Sequence, residues 1–376
     1  MQEWVEYSLD ELLSYEQPAQ YIVKSTDYDD AYDTPVLTAG KSFILGYTNE
    51  EDGIYDQLPV IIFDDFTTAS QYVNFKFKVK SSAMKILTPV KELVLPKYIY
   101  YRMQIINFDH STHKRYWIQQ YSKIRVSVPP LPEQERIVAR IEELFSQLDA
   151  GVETLKKAKA QLAVYRQAVL IEAFEDCIDS VTMGSVATMI DPKPSHRTPP
   201  EFENGIPYIG IGDIDYTGKT IRFKDARKVN PVVYEEHLQR YTLREGDFVM
   251  GKIGTIGKPF RLPLPQNYTL SANVILIQPD AEKINPEFLF WQFSSPLITE
   301  QLMEGKNETS QPAFGIQKAR LLQIKMCSPD VQDRIVYDIR EKISVCENIE
   351  QTVTLTLQQA EAMRQSILKD AFEGRL

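Results

Sequence analysis

The sequence predicts an α+β protein in which two globular α/β domains are separated by two long helices that pair as an antiparallel coiled coil, forming a pseudo-two-fold tandem repeat. Three observations predict this class. A segment that begins at Glu133 returns 198 residues later. In both copies the apolar residues follow a helical period. The chain of 376 residues is also too long for one ordinary core, and the stretches between the copies are domain-sized.

The repeat is carried by residues 134–175 and 332–373. Aligned without a gap, fifteen of these 42 positions are identical. The identities occur at both ends, with RIV near the start and AFE at the close. Two unrelated helices that merely shared a bias toward Glu, Gln, Ile and Leu would not stay in register at both ends. We therefore interpret the two segments as an internal duplication.

Both copies are predicted to be helical, because their apolar residues recur at alternating steps of four and three, as in the contact seam of a coiled coil. Pro132 and Pro329 stand where proline can begin a helix but not continue one. Pairing of the two helices within the chain is favoured, and dimerisation with another subunit is the alternative. The predicted seam residues are Ile137, Ile141, Leu144, Leu148, Leu155 and Leu162 in the first helix, and Ile335, Ile339, Ile349, Val353 and Ile367 in the second.

The expected domain boundaries follow from the repeat. They are 1–129 for the first globular domain, 130–178 for the central long helix, 179–328 for the second globular domain and 329–376 for the C-terminal long helix. In both domains β-rich runs alternate with turn residues, and a short helix after a proline and one more short strand precede the long helix. The whole chain therefore reads as two domain-plus-helix halves whose domains have diverged more than their helices.

Basic residues occur in local clusters although the net charge is −10. This charge argues against a non-specific coat for nucleic acid but allows DNA binding through patches. Binding DNA needs cations for phosphates, with polar or basic side chains beside them for bases. The candidate DNA-binding residues are Lys76, Lys78, Lys114, Arg115, Lys219, Arg222, Lys224, Lys252, Lys258, Ser310 and Gln311. For any single cluster the alternative is an ordinary solvated face.

Two features of these candidates are specific enough to test. Lys76, Lys78 and Lys80 alternate along an expected strand at 74–80, so all three should point to one face. The glycine-rich segment GKIGTIGKP at 251–259 has five residues between its outer glycines where a phosphate-binding loop has four. Its glycines are therefore interpreted as allowing a tight turn or a close approach of the backbone to DNA.

No catalytic or metal-binding motif emerges. A methyltransferase needs a cofactor loop and an Asn/Asp-Pro-Pro-aromatic signature, and the sequence has neither. Asp64-Asp65 is interpreted as a turn after a strand, and His110 with His113 as a surface pair. We predict no catalytic residue, no metal and no cofactor. The absence of a long apolar run and of a secretory signal leads us to expect a cytoplasmic protein without a membrane span.

The junction IRVSVPPLPEQERIVARIEEL at 124–144, the C-terminal LKDAFEGRL and its copy VLIEAFE resemble the specificity subunit of type I restriction-modification systems. In the second domain, EFENGIPYIGIGDIDYTGKTI, LREGDFVMGKIGTIGKP and ETSQPAFGIQKARLLQIKMCSP are similar to the target recognition domains of that family. The first domain departs from the pattern, because FDDFTTASQYVNFKFK stands where the second has the glycine-rich loop. The resemblance covers essentially the whole chain.

The resemblance implies a non-catalytic subunit that binds a bipartite site in double-stranded DNA, with one half-site for each target recognition domain. It further implies that the paired helices set the spacing between half-sites and dock two modification (methyltransferase) subunits. Restriction (translocase/nuclease) subunits would join in the full complex. The competing interpretations are a coiled-coil adaptor that binds other proteins through its globular ends, and a stand-alone DNA-binding repressor.

Overall fold

The computed structural model describes residues 4–40, 42–109, 114–195, 197–252, 256–304 and 314–376. The chain divides into two compact units. The first comprises Met1–Lys156 with Thr354–Leu376, and the second comprises Lys157–Val353. Each unit therefore contains one globular domain, the beginning of one long helix and the end of the other. Among the helices of the described residues, none combines the length and the apolarity that crossing a bilayer requires.

The first domain is built from short strands and two short helices, followed by a long helix. Its strands are β1 Val5–Ser8, β2 Leu13–Glu16, β3 Thr34–Leu37, β4 Ile44–Thr48, β5 Val60–Asp64, β6 Ser70–Val73, β7 Lys78–Val79, β8 Met84–Pro89 and β9 Arg125–Val128, and its helices are α1 Leu9–Leu12, α2 Pro96–Met103 and the long α3 Leu131–Glu172. One antiparallel sheet has the order β2-β8-β5-β6. In a second sheet, β3 pairs antiparallel with β4 and parallel with β7.

The second domain has more elements. Its strands are β10 Asp179–Thr182, β11 Ala187–Ile190, β12 Ile206–Ile209, β13 Ile214–Asp215, β14 Thr220–Ile221, β15 Lys228–Val229, β16 Phe248–Gly251, β17 Pro259–Arg261, β18 Thr269–Leu270, β19 Val274–Pro279 and β20 Gln323–Met326, and its helices are α4 Met183–Val186, α5 Pro231–Leu238, α6 Pro286–Phe293, α7 Pro296–Glu304, α8 Ile316–Arg320 and the long α9 Pro329–Phe372. One antiparallel sheet has the order β11-β19-β16-β17. In another, β12 pairs antiparallel with β15 and parallel with β18.

The two domains share one topology, which confirms the tandem repeat. The four-stranded sheets have the same order, and the three-stranded sheets have the same combination of one antiparallel and one parallel pairing. In both domains the first strand pairs antiparallel with the last, β1 with β9 and β10 with β20. This pairing brings the beginning and the end of each domain together beside a long helix.

The long helices pack antiparallel within each unit. In the first unit, the Arg136 guanidinium donates to the backbone oxygen of Leu376 at 3.2 Å, and Arg364 forms an ion pair with Asp149. The residue numbers of the α9 partners therefore decrease as the residue numbers along α3 increase, so the two helices run antiparallel. In the second unit Arg166 forms an ion pair with Glu350 at 2.8 Å. Pairing within the chain, as an antiparallel coiled coil, is therefore confirmed.

Each hydrophobic core joins a globular domain to segments of both helices. In the first unit, Ile137 and Ile141 of α3 belong to the same buried cluster as Leu368 and Phe372 of α9. In the second unit, the corresponding cluster contains Leu170 and Phe174 of α3 with Ile335 and Ile339 of α9. Because apolar burial contributes roughly 25 cal/mol per Å², these clusters fix each helix pair against its domain.

The buried stripe on the helices departs from the strict seam. Ile137, Ile141, Ile335, Ile339 and Val353 are buried, while Leu144, Leu148, Leu155, Leu162 and Ile367 are half-buried. Ile349, in contrast, is 43% exposed. Further along α9 Leu368, one position beyond Ile367, is buried. Val353 lies between Ile349 and Leu368 and is buried at its predicted position, so the departures from the seam are local.

A buried glutamine ties each domain to the start of its long helix. Gln134 accepts the N–H of Leu95 through Oε1 at 2.8 Å, and its Nε2 donates to the carbonyls of Leu93 and Pro129 at 2.9 and 2.8 Å. Gln332 accepts the N–H of Asn285 at 2.9 Å and donates to a carbonyl at the end of the preceding strand. Leu95 and Asn285 are the N-cap residues of α2 and α6. The glutamine that both repeats have at this position therefore has a structural role.

We expect Gln134→Ala to destabilise the first unit by about 3 kcal/mol, because it leaves a buried N–H and two buried carbonyls without partners. The matched control is Glu135→Ala, at the exposed neighbouring position, where a change of about 0.5 kcal/mol or less is expected. Urea unfolding of the full chain measures both. Equal free energies of unfolding for the two variants would contradict a structural role for the glutamine.

Candidate nucleic-acid interface

Three segments of the second domain meet at the end of β16. Lys252 follows this strand, and its N–H donates to the carbonyl of Asn273 at 2.8 Å. The carbonyl of Lys252 accepts the N–H of Phe314 at 2.9 Å. Asn273 in turn accepts the N–H of Ile211 through Oδ1 at 3.1 Å. The parts of the sequence that resemble target recognition domains are thereby held together at one edge of the domain.

The first domain has the same pair of backbone bonds. Asp65 follows β5, and its N–H donates to the carbonyl of Ala83 at 3.0 Å, while its own carbonyl accepts the N–H of Tyr116 at 2.9 Å. Asp65 therefore occupies the position that Lys252 has in the second domain. The fold places an acidic residue at this edge of one domain and a basic residue at the same edge of the other.

Both edge residues are ion-paired. Lys252, whose side chain is 13% exposed, lies 2.8 Å from the carboxylate of Asp191. Asp65 is buried with Lys85 at 3.2 Å and also accepts the N–H of Trp117. The turn interpretation is right for Asp64, whose Oδ1 accepts the N–H of Phe66 at 2.8 Å. Lys252 thus has a compensated charge and anchors its loop.

Lys78 does not share a face with Lys76 and Lys80, so that expectation is wrong. The Lys76 side chain is 71% exposed, whereas Lys78 is 1% exposed and lies 3.1 Å from Glu50. The reason is that regular strand structure covers only β7, which is inserted parallel to β3 in the sheet. The Lys78 ammonium forms its ion pair inside the domain and does not reach the surface.

The remaining basic candidates are on the surface. In the first domain Lys114 and Arg115 are exposed, and the Arg115 guanidinium lies 5.8 Å from the ring centroid of Phe66. Arg222 and Lys224 of the second domain are exposed as well. Arg222 also donates to the carbonyl of Gly212.

Lys219 lies in the turn between β13 and β14, and Lys258 contacts the same turn through Tyr216. Lys219 forms an ion pair with Glu347 of α9, so this contact joins the hairpin to the long helix. Lys258 is exposed and lies 4.3 Å from the ring centroid of Tyr216, which donates its hydroxyl to the Lys258 carbonyl at 3.0 Å. Ser310 and Gln311 lie outside the described residues. For metals, the described residues contain no group of three or more His, Cys, Asp or Glu suited to holding an ion.

A pocket of about 330 Å³ with several polar side chains in its lining opens beside the edge of the second domain. Its lining includes Thr198, Gly210, Asp213, Arg227 and Asn273. None of these five was among the predicted binding residues. The sequence signals were the position of Gly210 and Asp213 within the segment that resembles target recognition domains, and the place of Arg227 in the basic cluster at 219–228. Asn273 is distant in sequence and reaches the pocket through the parallel pairing of β12 with β18.

Comparison with known proteins places this architecture. Residues 1–162 match the type I restriction modification DNA specificity domain. The chain is 42% identical over 229 residues to the EcoR124I/EcoR124II specificity subunit of Escherichia coli, covering 57% of this chain and 56% of that one. The first part of the chain thus carries this family's DNA specificity domain, and the chain is similar to the specificity subunits of type I restriction enzymes. The EcoBI specificity subunit of Escherichia coli is 22% identical over 276 residues, or 66% of this chain and 58% of the relative.

Solved structures share the fold along the whole chain. A structure from work on the complex assembly and conformational transition of a type I R-M system matches with a TM-score of 0.72 at 16% identity, covering 100% of this chain and 98% of that one. The HsdS subunit from Thermoanaerobacter tengcongensis matches with a TM-score of 0.52 at 16% identity, covering 100% and 97%. The sequence matches to the two Escherichia coli subunits, in contrast, span only 56% and 58% of their lengths.

A buried polar network supports the pocket of the second domain from behind. The ring of His237 bonds through Nδ1 to the hydroxyl of Thr269, and Tyr241 lies 3.1 Å from the same hydroxyl while accepting the N–H of Leu270 at 3.0 Å. Thr269 and Leu270 form β18, which leads directly to Asn273. Burial lowers the pKa of His237 to about 4, and the nearby cations Lys193 and Arg240 act in the same direction.

This pKa predicts that the second unit loses stability in mild acid. The unfolded chain binds a proton at His237 below pH about 6.5, whereas the folded subunit binds it only near pH 4, so stability falls as the pH drops between these values. At about 1.4 kcal/mol per pKa unit, the loss amounts to about 3 kcal/mol by pH 4. Urea unfolding between pH 7 and 4 should show this slope, and His237→Gln should flatten it. A variant with the same slope as the parent would refute the assignment.

Proposed function

We propose that this chain is the non-catalytic DNA-recognition subunit of a type I restriction-modification complex. Each globular domain reads one half of a bipartite double-stranded target. The paired long helices set the spacing of the two halves and dock two modification subunits. Methyl transfer, translocation and cleavage belong to the modification and restriction subunits, and the complex acts on DNA in the cytoplasm.

The observation that carries this proposal is the combination of one repeated scaffold with two different edges. The domains share a sheet topology and the same backbone bonds at the end of β5 and β16. Yet those bonds hold Asp65 and Ala83 in one domain and Lys252 and Asn273 in the other. A protein that presents two unlike surfaces on equivalent scaffolds is suited to reading two unlike half-sites. An adaptor or a repressor of identical repeats would not need that divergence.

The long helices support the docking part of the proposal. In the second unit they carry large apolar side chains on their solvent side, among them Val164 of α3 and Tyr337 and Val345 of α9, each more than half exposed. Contiguous exposed apolar surface is typical of a docking site for another protein, and we propose that these side chains contribute to one. Modification subunits are the partners that this surface would serve in a restriction-modification complex.

The central experiment is a long-read methylation profile of cells that carry this chain with its modification partner. A bipartite motif, with modified adenines on opposite strands and an unspecified spacer, is the expected result. A contiguous motif would contradict one half-site per domain. Methylation that is unchanged when the chain is deleted, together with DNA-independent association with other proteins, would favour the adaptor instead.

Shortening both helices tests whether they set the spacer. Deleting residues 155–161 and 353–359 removes seven residues from each helix, or about 10 Å at 1.5 Å per residue, and nearly preserves the facing surfaces because seven residues are almost two turns. At about 3.4 Å per base pair, the spacer of the methylated motif should shorten by about three base pairs with both half-sites unchanged. Altered half-sites at the original spacing would refute the ruler.

Lys258 and Lys252 should behave differently in DNA binding. Lys258 is exposed and has an aromatic partner, so Lys258→Ala should weaken binding of the complex and lower its salt slope by about one. Lys252→Ala instead removes the partly buried ion pair with Asp191 and should lower thermal stability. Fluorescence anisotropy across a salt series, with calorimetry for stability, separates the two effects. An unchanged slope for Lys258→Ala would remove that lysine from the interface.

A further inference from the structure

We propose that the pocket formed around Gly210, Asn273 and Arg227 reads a guanine of the half-site that the second domain recognises. This inference rests on the proposed function, because it assigns a ligand to the DNA-facing edge of that domain. It gives the base contact to Arg227, which belongs to the basic cluster at 219–228, and to Asn273, which belongs to none. The hydrogen-bonding groups that the pocket presents to a ligand determine which base it can bind.

The amide of Asn273 is oriented by its neighbours. Its Oδ1 accepts the N–H of Ile211 at 3.1 Å and the hydroxyl of Ser271. Both lone-pair directions of this oxygen are therefore used, and the orientation of the amide is fixed by two donors. Its NH₂ group has no acceptor among the described residues and lines the pocket. Asn273 thus presents hydrogen-bond donors only.

Arg227 adds a second set of donors. Its side chain is exposed, and one Nη donates to the carbonyl of Pro199 at 3.3 Å. That bond holds the guanidinium at the rim while leaving most of its five N–H groups unused. The pocket therefore combines an amide NH₂ with a guanidinium. Guanine is the base that offers two adjacent acceptors, O6 and N7, in the major groove, and arginine is its commonest partner.

A phosphate fits the pocket less well. Asp213 also lines it, with one carboxylate oxygen accepting the N–H of Gly210 at 2.8 Å. A carboxylate in the wall repels the negative charge of a phosphodiester, whereas a neutral base edge tolerates it. The volume of about 330 Å³ is also larger than a single phosphate group needs.

Gly210 keeps the pocket open. A Cβ at this position would lie 2.9 Å from the hydroxyl of Ser271 and 3.0 Å from both terminal atoms of the Asn273 side chain. Any larger residue would therefore displace the amide that carries the donors. Glycine is required here because the side chains of Ser271 and Asn273 approach the backbone closely, and the backbone conformation itself is unstrained.

The first domain lacks this donor set at the equivalent place. There Ala39 occupies the position of Ile211, and its N–H donates to the sulfur of Met84 at 3.3 Å. The residue that takes the place of Asn273 in the backbone bonding is Ala83. The same scaffold position is thus apolar in one domain and donor-rich in the other. This difference is what two domains with different half-sites require.

The decisive variant is Asn273→Asp, which retains an oxygen for Ile211 and Ser271 but replaces the NH₂ donor with an acceptor. Arg227→Gln removes the second donor set, and Lys224→Gln, at an exposed lysine of the same domain, is the matched control. The subunit is assembled with its modification partner. Its affinity is measured by anisotropy for the cognate duplex and for duplexes with each base of the second half-site substituted.

We expect both pocket variants to lose about tenfold to hundredfold in affinity for the cognate duplex and to relax preference at one guanine of the second half-site. The first half-site should be read as before. Lys224→Gln should weaken binding equally for all duplexes. A loss that is uniform across sequences, with a smaller salt slope, would mean that the pocket holds a phosphate and would overturn the proposal. Relaxed preference at an adenine, or unchanged binding, would also overturn it.

Failure of the proposed function gives a different result. If the parent complex showed no preference for any bipartite duplex, DNA recognition by this chain would itself be wrong and the inference would fall with it. If the parent is selective but the pocket variants match it, only the inference fails. Unfolding curves of the variants test whether misfolding causes any loss of affinity. Asn273→Asp is expected to stay folded, because its carboxylate keeps the oxygen that accepts from Ile211 and Ser271.

Discussion

The buried glutamines at the start of α3 and α9 are the constraint on which the rest of the structure depends. Gln134 and Gln332 occupy the same repeat position, and each joins the N-terminus of a domain helix to the last residues before its long helix. An amide that is fully bonded in a buried site permits one arrangement of the three backbone segments it joins. The domain is therefore fixed on the helix, and a fixed domain is what any spacing function requires.

An ion pair reinforces each attachment with opposite polarity. Lys97 in the first turn of α2 pairs with Glu142 of α3, whereas Glu287 in the first turn of α6 pairs with Arg340 of α9 at 3.1 Å. Glu142 and Arg340 are equivalent in the repeat, being 198 residues apart. Exposed pairs of this kind contribute little stability. Their reversed polarity nevertheless means that either domain, placed on the other's helix, would meet a like charge, which favours correct pairing of domain and helix.

The sequence predicted the repeat, the two long helices and their antiparallel pairing. Helical periodicity and internal identity can both be read directly from the order of the residues. It failed where tertiary context decides. Lys78 looked like its neighbours until the sheet placed it beside Glu50. Asn273 gave no signal, since its donor role exists only after a hydrogen bond to Ile211 orients it. Ile349 follows the apolar pattern yet is exposed, although Val353, the next residue of the predicted seam, is buried.

The two edges show how a reader can change while its scaffold does not. The backbone bonds that hold the loops after β5 and β16 are the same in both domains, so the loops are positioned without help from their side chains. The side chains are then free to differ. In the first domain the buried ion pair of Asp65 and Lys85 closes the edge, and the Lys85 ammonium also donates to the exposed Gln17. In the second domain Lys252 and Asp191 form a partly exposed pair, and the donor pocket lies beside it. A fold that separates positioning from chemistry in this way can acquire a new binding surface by substitution at a few side chains.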